Sequence, residues 1–298
     1  MAVLKRRRND TVRVCFWRSD KPRERILADA FLQGVRSFGD EGFELPLRWE
    51  IPEELPECDL ACMVGVKARR RIQAHWNAGI HTLMMDKGYI RTEIEPMGVW
   101  KYWRVAIDGH HPTKYLPLMN SPSDRWEALG LNWLPWREEG VHTVFAGSSE
   151  KYHEFYGLDH PTDYARKQIK RIGKLRNGWI AYRPKPSWGE AVPIEGSEFC
   201  PDGKIDKYLR NCWALVTHGS NAVFEAMLHG IPSIVLGDAV SRHVSSTNIE
   251  DLVNPYLATE EERFSLFSNL AYCQWTMAEF QSGEAWASIR KELIRQCA

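Results

Sequence analysis

Short apolar runs rich in β-branched and aromatic residues alternate along this chain with longer stretches of helical periodicity. That alternation constrains the fold more than any other feature. A strand apolar at nearly every position must be covered on both faces, so it belongs in a parallel sheet flanked by helices. The first run covers residues 12–17. Pro22 then marks a helix start, and Ile26, Leu27, Ala30, Phe31 and Val35 recur at helical spacing until Gly39. Runs at 59–64 and 80–85 bracket a basic helix over 67–76, completing a β–α–β–α–β order. Residues 90–140 are less regular, with one strand at 102–107 and a short helix at 123–129. Alternation resumes with strands at 141–146, 179–182, 214–217 and 231–236. Helices are predicted at 163–175, at 205–210 and after Asn221 as far as Leu228. From Thr259 onward the tail reads as two helices broken around Ser282-Gly283. Arg137-Glu138-Glu139-Gly140 interrupts the apolar pattern, which predicts one domain over 1–139, a second over 140–280 and a C-terminal helix over 281–298.

Charge limits the partners. The 298 residues carry 39 Lys and Arg against 39 Asp and Glu, a net charge of zero, which excludes a blanket electrostatic nucleic-acid binder. Any phosphate contact must come from a local patch. Seven scattered cysteines form no C-x-x-C pair, and no second cluster completes a zinc site with Cys58 and Cys62. Several sit inside apolar runs, as Cys15 does, and read as small buried hydrophobes, and a reducing compartment is expected. Lys5-Arg6-Arg7-Arg8 is followed by no apolar run, and no stretch of about 18 apolar residues exists. A soluble, cytoplasmic protein is expected.

The most informative stretch is Thr217-His218-Gly219-Ser220-Asn221, between an apolar strand and a helix carrying Glu225, with Gly230-Ile231-Pro232 opening the next strand. Gly219 lets backbone approach a ligand closely, while Ser220 and Asn221 can cap the helix and donate hydrogen bonds. Such a turn suits a pyrophosphate, and Glu225 one helical turn on can grip ribose hydroxyls. Upstream, Arg183 and Lys185 sit between prolines just after a strand, where ligands of open α/β sheets bind. Read without further context, the same pattern fits an ordinary tight turn and a solvated loop.

As a whole string, residues 178–240 resemble the donor-binding segment of GT-B glycosyltransferases, in which a His-Gly-Ser turn, a Glu and a G-x-P recur in this order. The resemblance implies two Rossmann-like parallel-sheet domains facing a cleft, an N-terminal one for the acceptor and a C-terminal one for a nucleotide sugar. It also implies C-terminal helices that cross back to the first domain. The donor, a UDP-sugar, would be held by Arg183, Lys185, His218, Gly219, Ser220, Asn221 and Glu225. With no D-x-D motif in a suitable context, no metal is expected. Transfer needs a group that takes the acceptor's proton. Asp86 is the first candidate, Asp20 the second and His110 the third.

Asp86-Lys87-Gly88-Tyr89, Tyr102-Trp103-Arg104-Val105, Tyr182 to Trp188 and Ala271 to Thr276 are similar to a phage-encoded set of glycosyltransferases. Some enzymes of that class glycosylate hydroxymethylated pyrimidines. The resemblance implies double-stranded DNA as acceptor and a host-cytoplasm location. Lys67, Arg69, Arg70 and Arg71 would then grip phosphates, and the basic run from Arg166 to Arg176 would form a second basic face. The alternatives are a surface glycan or small-molecule acceptor, or a nucleotide-sugar binder or epimerase that transfers nothing. The bland reading of both basic runs is a solvated helix face.

Overall fold

The structure is a computed structural model that describes residues 11–48, 50–90, 93–95 and 98–297. The Lys5–Arg8 run lies outside them. Two compact units form. One comprises the described residues up to Pro112 and those from Ala271 on; the other is Thr113–Leu270.

In the first unit, β1 (Arg13–Arg18) is buried along its centre and leads into α1 (Pro22–Ser37). Pro22 occupies the first helical turn, and Leu27, Ala28, Phe31, Leu32 and Val35 form the buried stripe. Next comes β2 (Glu41–Pro46), a half-exposed edge strand parallel to β1. The sequence pattern does not announce it, because edge position removes the need for a continuous apolar run. β3 (Leu60–Val64) pairs with β1 on its other side. Gly65, at φ 65°, turns the chain into a 3-10 turn, Val66–Ala68, that runs directly into α2 (Arg69–Asn77). β4 (His81–Lys87) is parallel to β3. β5 (Trp103–Ile107) is antiparallel to β4, with Arg104 opposite Asp86. β1, β3 and β4 are parallel, as the β–α–β–α–β order predicts, and β5 adds to β4 in the opposite direction, so the sheet is mixed.

The second unit begins with α3 (Asp124–Ala128) and β6 (His142–Ala146). α4 (Glu150–Tyr156) and α5 (Pro161–Leu175) follow, then β7 (Trp179–Arg183) and the short β8 (Glu198–Phe199). α6 (Asp206–Leu209), β9 (Cys212–Thr217), α7 (Ala222–Leu228) and β10 (Ser233–Val235) complete the alternation. Its sheet is parallel throughout, in the order β10-β9-β6-β7-β8. Ile169 and Ile172 of α5 pack on Ile180, Val216 and Ile234 to make the core.

After α8 (Glu260–Ala271) the chain rejoins the first unit. β11 (Gln274–Trp275) adds antiparallel to β5, giving the order β11-β5-β4-β3-β1-β2. α9 (Met277–Ser282) starts in a capping box built by Thr276 and Glu279, and α10 (Glu284–Cys297) follows Gly283. Both helices pack on α1. The ring of Phe31 meets Phe280 and Trp286 edge-on, and a Cβ at Gly34 would overlap the Phe280 carbonyl. Buried Asp40 ties α10 to the start of β1, accepting from Val12 N (2.9 Å), Trp286 Nε1 (2.8 Å) and Arg290 Nε (2.8 Å). The tail therefore holds three helices and a strand where two helices are expected.

The units divide near residue 112, not 139–140, and the return begins near 271, not 281. Residues 113–137 belong with the second unit because they are bonded into it. Leu134 N donates to Leu228 O (2.8 Å), Arg137 N to Gly230 O (2.7 Å), and Trp126 stacks on Phe267 at 4.7 Å. The charged run at 137–140 marks a surface turn inside that unit. No helix among the described residues is long and apolar enough to cross a membrane. All six cysteines with described side chains are free thiols, five of them buried.

Candidate active site

In the first unit one buried arginine organises the site. Arg104, the only charged residue of β5, is 3% exposed. Its Nη2 donates to His110 Nε2 (2.6 Å) and reaches Asp86 Oδ2 (3.4 Å), while Nη1 donates to His111 Nδ1 (2.7 Å) and reaches Tyr89 Oη (3.4 Å). Burial would lower the guanidinium pKa, yet Tyr89 and Asp86 outweigh it and hold it above its ordinary value. Register places this cluster: Asp86, next to last in β4, lies opposite Arg104, and the loop after β5 folds the two histidines back onto it. Gln274 of β11 steadies the neighbouring turn by accepting from the amides of Tyr89 and Ile90 (2.9 Å each). Asp86 keeps 34% of its side chain exposed and lies 3.9 Å from His110 Nε2. Two expected residues, Asp86 and His110, are thus brought together. Asp20 is not: its side chain is 97% exposed and ion-paired with Arg25.

The second unit gathers most of the expected donor residues along the carboxyl edge of its sheet. Ala146, Arg183 and Thr217 end their strands in register, and Val235 is paired with Thr217. β6 and β9 run to opposite sides in chain order, so the sheet's switch point lies beyond their carboxyl ends, where open α/β sheets bind ligands. At that point stand Gly147, Ser148, His218 and Gly219. A Cβ on Gly219 would overlap Tyr152 Oη and the Asp238 carbonyl, so only glycine fits. Thr217 Oγ1 accepts from Ser220 N (3.1 Å) and Ser220 Oγ from Ala222 N (3.2 Å), shaping the turn. Asn221 precedes α7 without a side-chain cap.

His218, expected among the donor-binding residues, sits in an aromatic enclosure. Its ring is enclosed by Tyr152, Tyr156 and Tyr164, each at 5.7 Å. Burial, then the charges of His153 and Arg242, push its pKa down to about 4, so it carries no charge at neutral pH. Tyr152 Oη donates to the Asp238 carbonyl (3.2 Å), and that same oxygen is 3.2 Å from His218 Nδ1. With the hydroxyl proton so used, His218 Nδ1 is the donor and Nε2 keeps its lone pair. Asp238 is itself held by Thr113 Oγ1 (2.6 Å) and by Tyr156 Oη.

Arg183 and Glu225 form the charged part of this edge. Burial lowers the Arg183 pKa, and the carboxylate of Glu225 is the first of the charges opposing that shift. Arg183 donates to Gly203 O (3.1 Å) from Nη2, but its buried Nε has no partner among the described residues. A buried guanidinium nitrogen left unused is what a phosphate oxygen would satisfy. Lys185 is exposed two residues further on. The residues present therefore fit a nucleotide diphosphate. Among the described residues, no group of three His, Cys, Asp or Glu side chains is placed to hold a metal ion.

The nucleic-acid expectation meets a different geometry. Arg71 is 3% exposed, spans the carbonyls of Arg48 (2.8 Å) and Glu50 (2.7 Å), and lies 3.9 Å over Trp17. It is a structural clamp and not a surface grip, whereas Lys67 and Arg70 are exposed. In the second basic run, Arg166 pairs with Asp163, Arg171 with Glu250, and Arg176 donates to Gly140 O above Trp213. Trp126 and Trp133 are spent on packing against Phe267.

No family model and no curated protein matches the sequence. Among solved structures, the chain is similar to KpsC of Thermosulfurimonas dismutans, a beta Kdo 2,7 transferase, with 14% identity over 96% of this chain and 100% of that one, at a TM-score of 0.57. This is the GT-B fold. The spinosyn rhamnosyltransferase SpnG with spinosyn aglycone (11% identity, 95% and 96% covered, TM-score 0.31) is also found. So is the S. aureus MnaA–UDP structure (10% identity, 97% and 98% covered, TM-score 0.28), and both lie too far away to bear on the argument.

Sequence reasoning gave no role to Arg104, Tyr152 or Asp238. A signal existed for the first, since a lone arginine in an otherwise apolar strand must find buried partners. None existed for Tyr152, whose helix α4 reads as polar.

Proposed function

We propose that this protein is a glycosyltransferase that moves a sugar from a nucleotide-sugar donor, a UDP-sugar, to a hydroxyl of its acceptor. The observation that carries this reading is the carboxyl edge of the second unit, where half-buried Arg183 keeps an unused Nε and the carboxylate of Glu225 favours its charged form. Arg183 and Lys185 serve the diphosphate, the Gly219 turn lets it approach, and Glu225 binds ribose hydroxyls. In the transfer, the acceptor oxygen bonds to the anomeric carbon as the bond to the diphosphate breaks. The nucleotide diphosphate leaves with the electron pair, its charge stabilised by Arg183 and Lys185. The hydroxyl proton goes to Asp86, a partly exposed carboxylate held by Arg104.

For the acceptor, the sequence favours a hydroxymethylated pyrimidine in DNA. The local basic patch of Lys67, Arg69 and Arg70 supports an anionic acceptor of some kind. Burial of Arg71 and the internal pairing of the second basic run favour a smaller acid over a duplex. Incubation with a panel of nucleotide sugars, against hydroxymethylated DNA and against acidic and neutral saccharides, tests this by mass spectrometry. A sugar-sized mass gain on one acceptor is expected. Failure to bind any nucleotide sugar, or to release nucleotide diphosphate with every acceptor, overturns the reading.

A further inference from the structure

The first unit has a switch point of its own. β1 leads to β2 on one side and β3 lies on the other, and a cavity of about 460 Å³ opens beyond the carboxyl ends of β1 and β3. Six cations line it: Lys21, Arg48, Lys67, Arg69, Arg70 and Arg71. No carboxylate and no aromatic ring is among its lining residues. Glu24, beside the cavity, draws off part of this charge by pairing with Lys21 at 3.2 Å. Arg48 and Arg70 have no ion pair among the described residues.

We infer that this cavity binds an oxyanion, the phosphate or carboxylate of an acidic small-molecule acceptor. The inference rests on the transferase reading for the word acceptor, but the anion site stands on its own observations. Arg69, Arg70 and Arg71 fill the first turn of α2, with Lys67 in the turn before it and no acid in either. Cations at a helix N-terminus oppose the helix dipole, so the sequence places its charge where the fold gains least from it. A bound oxyanion reverses that cost, because it meets both the cations and the dipole. Arg71 adds a second sign: it is 3% exposed, and its buried Nη1 has no partner among the described residues. An unstacked base would need aromatic faces and edge-reading groups, and this lining offers neither. Gly65, two residues before the lining residue Lys67, would place a Cβ 3.9 Å from Asp86 Oδ2.

The test is a calorimetric titration of the full chain with inorganic phosphate, with UDP titrated separately. Saturable phosphate binding is expected, weakened about tenfold by Lys67→Ala with Arg70→Ala. Arg70→Glu, which places a carboxylate in the cavity, abolishes it. UDP affinity stays unchanged in both variants. Glucose 6-phosphate or glucuronate displaces phosphate, the better of the two telling which oxyanion is preferred, and neutral glucose does not. Absent saturable binding, equal binding by the variants, or tighter displacement by a short DNA duplex than by either sugar acid overturns the inference. Variant-sensitive phosphate binding without UDP binding supports the cavity and counts against the transferase reading.

Discussion

Arg104 Nη2 stands 2.6 Å from His110 Nε2, and a guanidinium only donates, so His110 is a neutral imidazole with its proton on Nδ1. The same logic makes His111 accept at Nδ1. Arg104 thus fixes two tautomers and one carboxylate at once. Arg104→Met frees both rings to take protons and removes the cation beside Asp86. Loss of a buried partner of this kind costs roughly 3 kcal/mol. The urea midpoint reads the stability, and imidazole nitrogen chemical shifts read the released tautomers. Unchanged ring shifts would sink this account of the cluster.

Two aspartates that look alike in sequence are separated by their surroundings. Asp86 meets Arg104 and remains partly open, whereas Asp20 is solvated and pairs only with exposed Arg25. Asp86→Asn is expected to lower kcat by about 10²–10⁴, the usual size of a lost general base. Asp20→Asn should leave kcat alone and shift stability by less than about 0.5 kcal/mol, as for other exposed ion pairs. Steady-state rates with a transferring donor and acceptor decide it, and equal losses in both variants would remove Asp86 from its role.

Parallel strands were legible because burial on both faces leaves an apolar run in the sequence, as at Val14–Trp17 or Ala214–Val216. Edge strands such as β2 leave no such mark, and β11 is two residues long. The Gly219 turn was legible because close approach demands glycine there. Its surroundings were not: the tyrosines enclosing His218 arrive from α4 and α5, more than 50 residues upstream. The unit boundary escaped for a similar reason. Trp126 and Trp133 reach their partners on α8 only after the chain has folded back, and no local pattern encodes that contact.

Enclosure of His218 makes stability depend on pH in a defined direction. The ordinary imidazole pKa of 6.5 falls to about 4 in the folded chain. The unfolded chain therefore binds the extra proton between those values, and stability falls as pH drops from 6.5 to 4. At most about 3 kcal/mol is at stake from this ring. His218→Asn should flatten the slope of the unfolding free energy over that window. His153, also buried and shifted downward, adds to the native slope and stays in the variant. An identical slope with and without His218 would show that the ring is not held neutral.

Gly219 and Tyr152 give the sharpest test of the turn. A methyl group at position 219 overlaps the Tyr152 hydroxyl and the Asp238 carbonyl, and it would lie 2.7 Å from Tyr152 Cζ. Neither neighbour yields easily. Tyr152 is 4% exposed and its ring meets Tyr156 at 4.6 Å, and the side chain of Asp238 is bonded to Thr113 and Tyr156. Gly219→Ala is therefore expected to cost roughly 1–3 kcal/mol as overpacking and to displace the turn from the sheet edge. UDP affinity should fall with it, because the backbone at 219 can no longer approach the diphosphate. Adding Tyr152→Phe removes the hydroxyl but leaves Cζ and the carbonyl in place, so it restores only part of the stability. Thermal unfolding and UDP titration of the two single variants and the double variant measure the coupling. Full rescue by the phenylalanine would mean that the hydroxyl alone demands glycine at this position.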